Sequence, residues 1–174
     1  MTRFTLAALW VVLAVCAIHT AQAAHIETKI IATSKSDIQA YLNGHNHERA
    51  KHGAKPLHWD ESLAHAAQKW ANRCKFEHSK GKVGPYGENL AAGTGPYKIA
   101  DAIGGWNAEA SQYNPKHPQY SHWTQVVWKS TTHVGCAVQT CNGIFDAKYG
   151  PANYYVCEYS PPGNYAGQFP KNVG

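Results

Sequence analysis

Two histidines and two glutamates are the residues of this chain best suited to act on something outside the fold: His78, Glu88, Glu109 and His122. Brought together, two imidazoles and two carboxylates can hold a divalent cation or work as an acid and base set. They lie far apart in sequence, and spacing alone favours reading them as ordinary surface or capping groups. Other chemistry lacks its usual marks: the chain contains no G-x-S-x-G, no H-E-x-x-H, no phosphate-binding glycine motif and no dinucleotide fingerprint. Ser79 and Ser121 adjoin the two histidines, but neighbours in sequence usually point apart, so serine hydrolysis gains little support. The chain is therefore not expected to be an enzyme.

A second feature is the stretch Tyr113-Asn114-Pro115-Lys116-His117-Pro118-Gln119-Tyr120. Two tyrosines separated by two prolines make a stiff, amphipathic loop that could lay aromatic faces on a flat apolar ligand, or could simply pack the loop down. The other histidines have plainer readings. His45, with Asn46 and Arg49, fits a role in stabilising the first helix; His47, His52, His58 and His65 read as solvated surface. His117 and His133 could tune binding near pH 6 without anything in the sequence requiring it. Trp59, Trp70, Trp106 and Trp128 read as core.

These side chains need elements to position them. Ser36 and Gln39 fit a capping box, Ile38, Leu42, His45 and Arg49 follow at helical spacing, and Gly53 with Pro56 closes a first helix. Asp60 caps a second helix with Leu63, Ala67, Trp70, Ala71 and Cys74 on one stripe, and Trp59 is placed as a hydrophobic staple. Phe76 to Tyr97, broken by Gly81, Gly84, Pro85, Gly87, Gly93, Gly95 and Pro96, reads as a long loop carrying Glu88. Ile99, Ala102, Ile103 and Trp106 give a third helix that continues toward Glu109. Strands are expected over His122 to Trp128, His133 to Gln139 and Tyr154 to Tyr159. Helices first and strands last predict an α+β domain with an antiparallel sheet.

The 174 residues allow one ordinary domain, and 44% hydrophobic residues supply its core. The net charge of +5 is scattered rather than gathered into a basic run, so nucleic acid is not an expected partner. Arg3, the apolar run Leu6 to Ile18 and Ala21-Gln22-Ala23 read as a secretory signal peptide, residues 1–23. His19, Thr20 and Gln22 interrupt that run too early for a transmembrane anchor. Residues 24–35 read as a flexible lead-in, and 36–174 as the folded domain. Cleavage removes Cys16 and leaves Cys74, Cys136, Cys141 and Cys157, an even set that an oxidising compartment turns into disulfides. Spacing does not choose among their three pairings. Zinc is the competing use, but no C-x-x-C pair supports it. No N-x-S/T sequon is present.

Several strings carry a resemblance. His45-Asn46-x-x-Arg49, Pro56-Leu57-x-Trp59-Asp60 and Leu63-x-x-x-Ala67-Gln68-x-Trp70-Ala71 are followed by His78-Ser79 and Gly87-Glu88-Asn89-Leu90-Ala91. His122-Trp123-Thr124-Gln125-Val126-Val127-Trp128, Gly135-Cys136 and Cys157-x-Tyr159-x-Pro161-Pro162-Gly163-Asn164-Tyr165 complete the series. In this order they resemble the cysteine-rich secretory protein, antigen 5 and pathogenesis-related 1 (CAP) superfamily, over nearly all of residues 38–172. The cysteine-free stretch before His122 and the ending around Gly167 and Phe169 look closer to fungal secreted members than to plant ones. Ser121 and Trp123 depart from the Gly and Phe of many relatives, at what the resemblance makes the rim of a cleft.

The resemblance implies a three-layer α-β-α sandwich whose central cleft is lined by His78, Glu88, Glu109 and His122. The two histidines would be the ligands of zinc or another divalent cation, with the glutamates in support. It implies disulfides Cys74 with Cys136 and Cys141 with Cys157. It also implies that a sterol or fatty acid-like ligand is bound, the sterol at Tyr113, Asn114, Pro115, Pro118 and Tyr120, by a secreted, extracellular monomer. Other activities implied by relatives are signalling or virulence through a host or cell-surface protein partner, release of a C-terminal peptide beginning near Pro161 or Pro162, and metal-assisted hydrolysis.

Overall fold

The computed structural model describes residues 33–174, so the expected signal peptide and most of the expected lead-in lie outside the described residues. Helix α1 (Lys35–Lys51) starts earlier than expected. Ser34, not Ser36, is its N-cap, accepting the Asp37 N–H at 3.1 Å, and Asp37 near the start with Arg49 and Lys51 near the end suit the helix dipole. The end of the lead-in is not loose: the Thr33 hydroxyl donates to the carbonyl of Cys136, and Lys35 is already helical.

After α1 come the two-residue strand β1 (His58–Trp59), α2 (Glu61–Ala71), β2 (Gly87–Thr94), α3 (Ile99–Ala108) and a 3-10 turn, Glu109–Gln112. Then follow α4 (His122–Val126), β3 (His133–Cys141), β4 (Ala152–Ser160) and the short α5 (Phe169–Asn172). The four strands form one sheet in the order β1-β3-β4-β2. Three strands are antiparallel, as expected, while β1 runs parallel to β3.

Side chains alternate across the sheet, and that alternation builds two cores. Val134, Cys136, Tyr155, Cys157 and Tyr159 face α1, α3 and α4 with Tyr41, Ile103, Trp106 and Val126. Ala137, Tyr154 and Val156 face α2 with Ala67, Trp70 and Ala71. Helices thus cover both faces, the three-layer α-β-α sandwich. Helix α2 approaches so closely that a Cβ on Gly135 would stand 2.1 Å from the backbone nitrogen of Ala64.

Helix α1 buries polar groups as well as apolar ones. His45 Nδ1 donates to the Tyr41 carbonyl at 2.7 Å, so Nε2 accepts the Tyr159 hydroxyl at 2.8 Å. Burial pushes the His45 imidazole down to about 4, matching this neutral form. Arg49 is fully buried with no carboxylate partner among the described residues; its guanidinium donates to the carbonyls of Lys55, Val126, Trp128 and Thr131. Burial lowers it to about 10, still charged at neutral pH. The expectation that His45, Asn46 and Arg49 stabilise the helix holds.

Three expectations are corrected. The loop expected over Phe76 to Tyr97 contains β2, paired with β4 along its whole length. Gly93, read as a breaker, is there because the Tyr97 ring covers it: a Cβ would stand 2.3 Å from that ring. The strand expected over His122 to Trp128 opens as helix α4. Ser121 closes a capping box with Thr124, and every residue from Trp123 to Trp128 is buried, so the aromatic and β-branched character reflects burial rather than extension.

The disulfides are the third correction. Cys136 pairs with Cys157 and Cys74 with Cys141, not Cys74 with Cys136 and Cys141 with Cys157. Register decides this: Cys136 and Cys157 are directly opposed on β3 and β4, with Cα atoms 4.1 Å apart. Cys141 lies five residues further along β3, about 16 Å away at strand rise, where the end of α2 brings Cys74 beside it.

Candidate functional site

The four residues singled out first do come together. His78 arrives from the segment after α2, Glu88 from β2, Glu109 from the turn after α3, and His122 from the first residue of α4. All four line one cleft of about 610 Å³.

Each imidazole is held by one carboxylate. His78 Nδ1 donates to Glu88 Oε1 at 2.6 Å, and the same oxygen accepts the Ser79 N–H at 2.9 Å. His122 Nδ1 donates to Glu109 Oε1 at 2.7 Å, while Oε2 accepts the Trp123 N–H at 3.2 Å. With Nδ1 committed on both rings, Nε2 is the atom left to face the cleft chemistry. Trp106 stacks on His122 at 6.1 Å, and the Asn89 amide donates to the His122 carbonyl and the Tyr159 hydroxyl. The cleft is thereby tied through Tyr159 to the buried His45.

The hydrogen bond donated to Glu88 is the main force raising the His78 pKa, against desolvation. Burial pushes Glu88 the other way, but bonds from His78, Glu158 and Ser79 hold it below its usual value. Glu158 lies opposite Glu88 in the sheet register; burial first, and then the Glu88 charge, push it up to about 10.

As a metal site, the donor set offers two imidazole nitrogens. No group of three or more His, Cys, Asp or Glu side chains is arranged to hold an ion among the described residues. Two imidazole nitrogens fall short of the ligand set of a closed centre, so an ion held there would keep water in its remaining positions.

The expected ligand loop forms one wall of this cleft: Tyr113, Asn114 and Tyr120 line it with Gln112, His117 and Gln119. The two tyrosines differ. Tyr113 packs against Trp123, ring centres 5.2 Å apart, whereas Tyr120 is 76% exposed. Pro115 and Pro118 are in the loop but not in the lining. Ser121 lies at the rim as expected, but Trp123 does not: it is buried, donating from Nε1 to Glu48 at 3.0 Å.

Two participants were missed. Asn164 lines the cleft, accepting from the Thr124 hydroxyl and donating to the Ser121 carbonyl. Its signal was the Pro161-Pro162-Gly163-Asn164 string. Glu158 was legible as an acid inside an otherwise apolar strand.

The model of the Cysteine-rich secretory protein family matches residues 42–159. Fruiting body protein SC7 of Schizophyllum commune is 44% identical over 144 residues, covering 76% of this chain and 68% of that protein. Pathogenesis-related protein PR-1 of Medicago truncatula is 40% identical over 159 residues, covering 85% and 87%. Among solved structures, the crystal structure of NaASP2 with Zn2+ superposes with a TM-score of 0.63 at 23% identity, covering 77% of this chain and 84% of that one, a likeness of fold. With its tetrad, sandwich and relatives in agreement, this chain belongs to the cysteine-rich secretory protein (CAP) family.

Proposed function

We propose that this is a secreted, extracellular binding protein that shields a sterol or a similar small hydrophobic compound at the mouth of the cleft. The observation that carries this reading is Tyr120, a large aromatic ring standing 76% exposed on the rim of a 610 Å³ cleft. That volume lies in the range of ligand pockets, and covering apolar surface at about 25 cal/mol per Å² is the driving force. No helix among the described residues is long and apolar enough to cross a membrane.

The same cleft takes zinc or a related divalent cation through Nε2 of His78 and His122, with Glu88 and Glu109 fixing the rings. The bound ion would supply a positive charge and exchangeable water. The NaASP2 structure with Zn2+ supports this reading.

Binding is favoured over hydrolysis because the hydroxyls beside the tetrad are otherwise engaged: Ser121 Oγ caps α4, and neither Ser79 nor Ser121 hydrogen-bonds to an imidazole among the described residues. It is favoured over release of a C-terminal peptide because that segment is stitched down. The Pro161 carbonyl accepts from Thr131, Gly163 N–H donates to Gln125, and Phe169 packs on Trp128 at 5.3 Å. Titration of the secreted protein with labelled cholesterol, ergosterol and a fatty acid should give saturable binding to at least one. Failure to saturate with any of them at high micromolar concentration overturns the proposal.

A further inference from the structure

The opposite edge of the sheet carries another pair of imidazoles. His58 on β1 and His133 on β3 are register partners in the parallel pair, and their ring centres lie 5.9 Å apart at 47°. Neither lines the cleft, which is built around β2 at the other edge. His58 is exposed and His133 half-buried, so water and ions reach both.

The tautomer of one ring is set by its neighbours. The Thr132 hydroxyl donates to the Ser160 carbonyl at 3.3 Å and lies 2.8 Å from His133 Nδ1. With its proton committed to the carbonyl, the hydroxyl accepts from Nδ1–H, and the lone pair of the neutral ring is left on Nε2. Fixing the far nitrogen of a ligating histidine with an oxygen acceptor is the usual support of a metal ligand, and here the hydroxyl oxygen plays that part. His58 makes no side-chain hydrogen bond to the described residues, so its ring is free to turn toward His133.

The spacing suits a shared ion. Two imidazoles in adjacent positions of a tetragonal copper(II) site, bonded at about 2.0 Å and at roughly 90°, have ring centres roughly 4.5 Å apart. The observed 5.9 Å is closed by turning the exposed His58 ring about its side-chain bonds. No acid or thiol completes a larger cluster among the described residues, so the remaining positions go to water. Two neutral imidazoles and water are borderline donors, which rank copper(II) above nickel(II) and zinc.

We propose that His58 and His133 form a surface site for a late first-row divalent cation, copper(II) foremost, at the sheet edge opposite the cleft. The site is independent of the cleft tetrad and of any ligand bound there.

The test uses the full secreted chain, labelled with nitrogen-15 and titrated with copper(II) chloride below one equivalent. Paramagnetic broadening should erase the amide signals of residues 58, 59, 133 and 134 selectively. His58→Ala and His133→Ala should each restore them, weakening copper binding there at least about tenfold, and Thr132→Val should weaken it by about tenfold through loss of the ring support. His58→Asn and His133→Asn serve as the conservative pair should an alanine variant fold poorly. His78→Ala with His122→Ala should leave the broadening at the sheet edge unchanged. Signals at these residues that persist in the wild type, or broadening that survives both single histidine variants, overturn the proposal.

Discussion

Glu88 and Glu158 stand directly opposite each other on β2 and β4, and each has one buried carboxyl oxygen that no N–H group and no other residue's hydroxyl reaches among the described residues. Two ionised carboxylates there would leave both oxygens unpaired and repelling. Glu88 remains the anion because His78 and the Ser79 N–H feed its other oxygen, while Glu158, 1% exposed, keeps its proton at neutral pH. That proton gives the pair its donor. The His78 side of the cleft thus rests on an acid that acts as a neutral group.

Glu158→Gln tests this. The folded-state pKa of Glu158, about 10, lies above its ordinary 4.5, so the unfolded chain ionises first as pH rises. Its contribution to stability is full below about 4.5 and declines toward pH 10. Glutamine carries no such penalty, and its amide can donate to Glu88. Thermal melts should show the variant gaining on the wild type with rising pH, by at least about 1 kcal/mol at pH 8. A difference that stays flat from pH 5 to 9 would mean that Glu158 ionises like an ordinary acid.

His45 acts at the other end of the pH scale. Its folded pKa is depressed to about 4 from 6.5, so its stabilising effect is present above 6.5 and lost as pH falls toward 4. The drop amounts to about 3 kcal/mol over that window. His45→Gln should lose about 2 kcal/mol at pH 7.5, from broken buried hydrogen bonds, and the deficit should shrink by pH 4.5. Chemical denaturation at both pH values measures it; a deficit independent of pH would show that the buried ring protonates freely.

The tetrad and the class of the fold were legible because short strings around His78, Glu88 and His122 are specific and the helices α1 to α3 carry caps or periodic stripes. Strand β2 was hidden because Gly87 and Gly93, which usually interrupt strands, are used here for close packing. Helix α4 was hidden because a short helix buried on all sides has no amphipathic period to read. The disulfide pairing depends on the register of β3 against β4, which follows from three-dimensional packing. Similarly, His58 and His133 became a pair only once β1 was seen to join the sheet, since two residues of strand leave no pattern in sequence.

The two tyrosines of the cleft loop should separate stability from binding. Tyr113→Ala removes the ring packed on Trp123 and should cost about 1 to 3 kcal/mol of stability. Tyr120→Ala, at an exposed ring, should leave the melting temperature within about a degree while weakening sterol binding roughly tenfold, the loss of about 1.4 kcal/mol of apolar contact. Unchanged sterol affinity in the Tyr120 variant would remove that ring from the contact surface.

The two disulfides make different demands on the unfolded chain. Cys74–Cys141 closes a sequence separation of 67 residues and Cys136–Cys157 one of 21. Loop-closure entropy then gives about 4 kcal/mol for the first and about 3 kcal/mol for the second. Local packing reverses the order of damage in the native state. Cys136 and Cys157 are both fully buried in the α1 face of the sheet, and replacing them with alanine leaves a gap between neighbouring strands, whereas Cys74 is only partly buried at the end of α2. Cys74→Ala with Cys141→Ala should therefore lower the melting temperature but leave near-native amide exchange in β3 and β4. Cys136→Ala with Cys157→Ala should loosen exchange in both strands, including Glu158, and so disturb the His78 side of the cleft. Non-reducing peptide mapping checks the premise: fragments joined as Cys74–Cys136 and Cys141–Cys157 would contradict the register of β3 and β4 on which this argument stands.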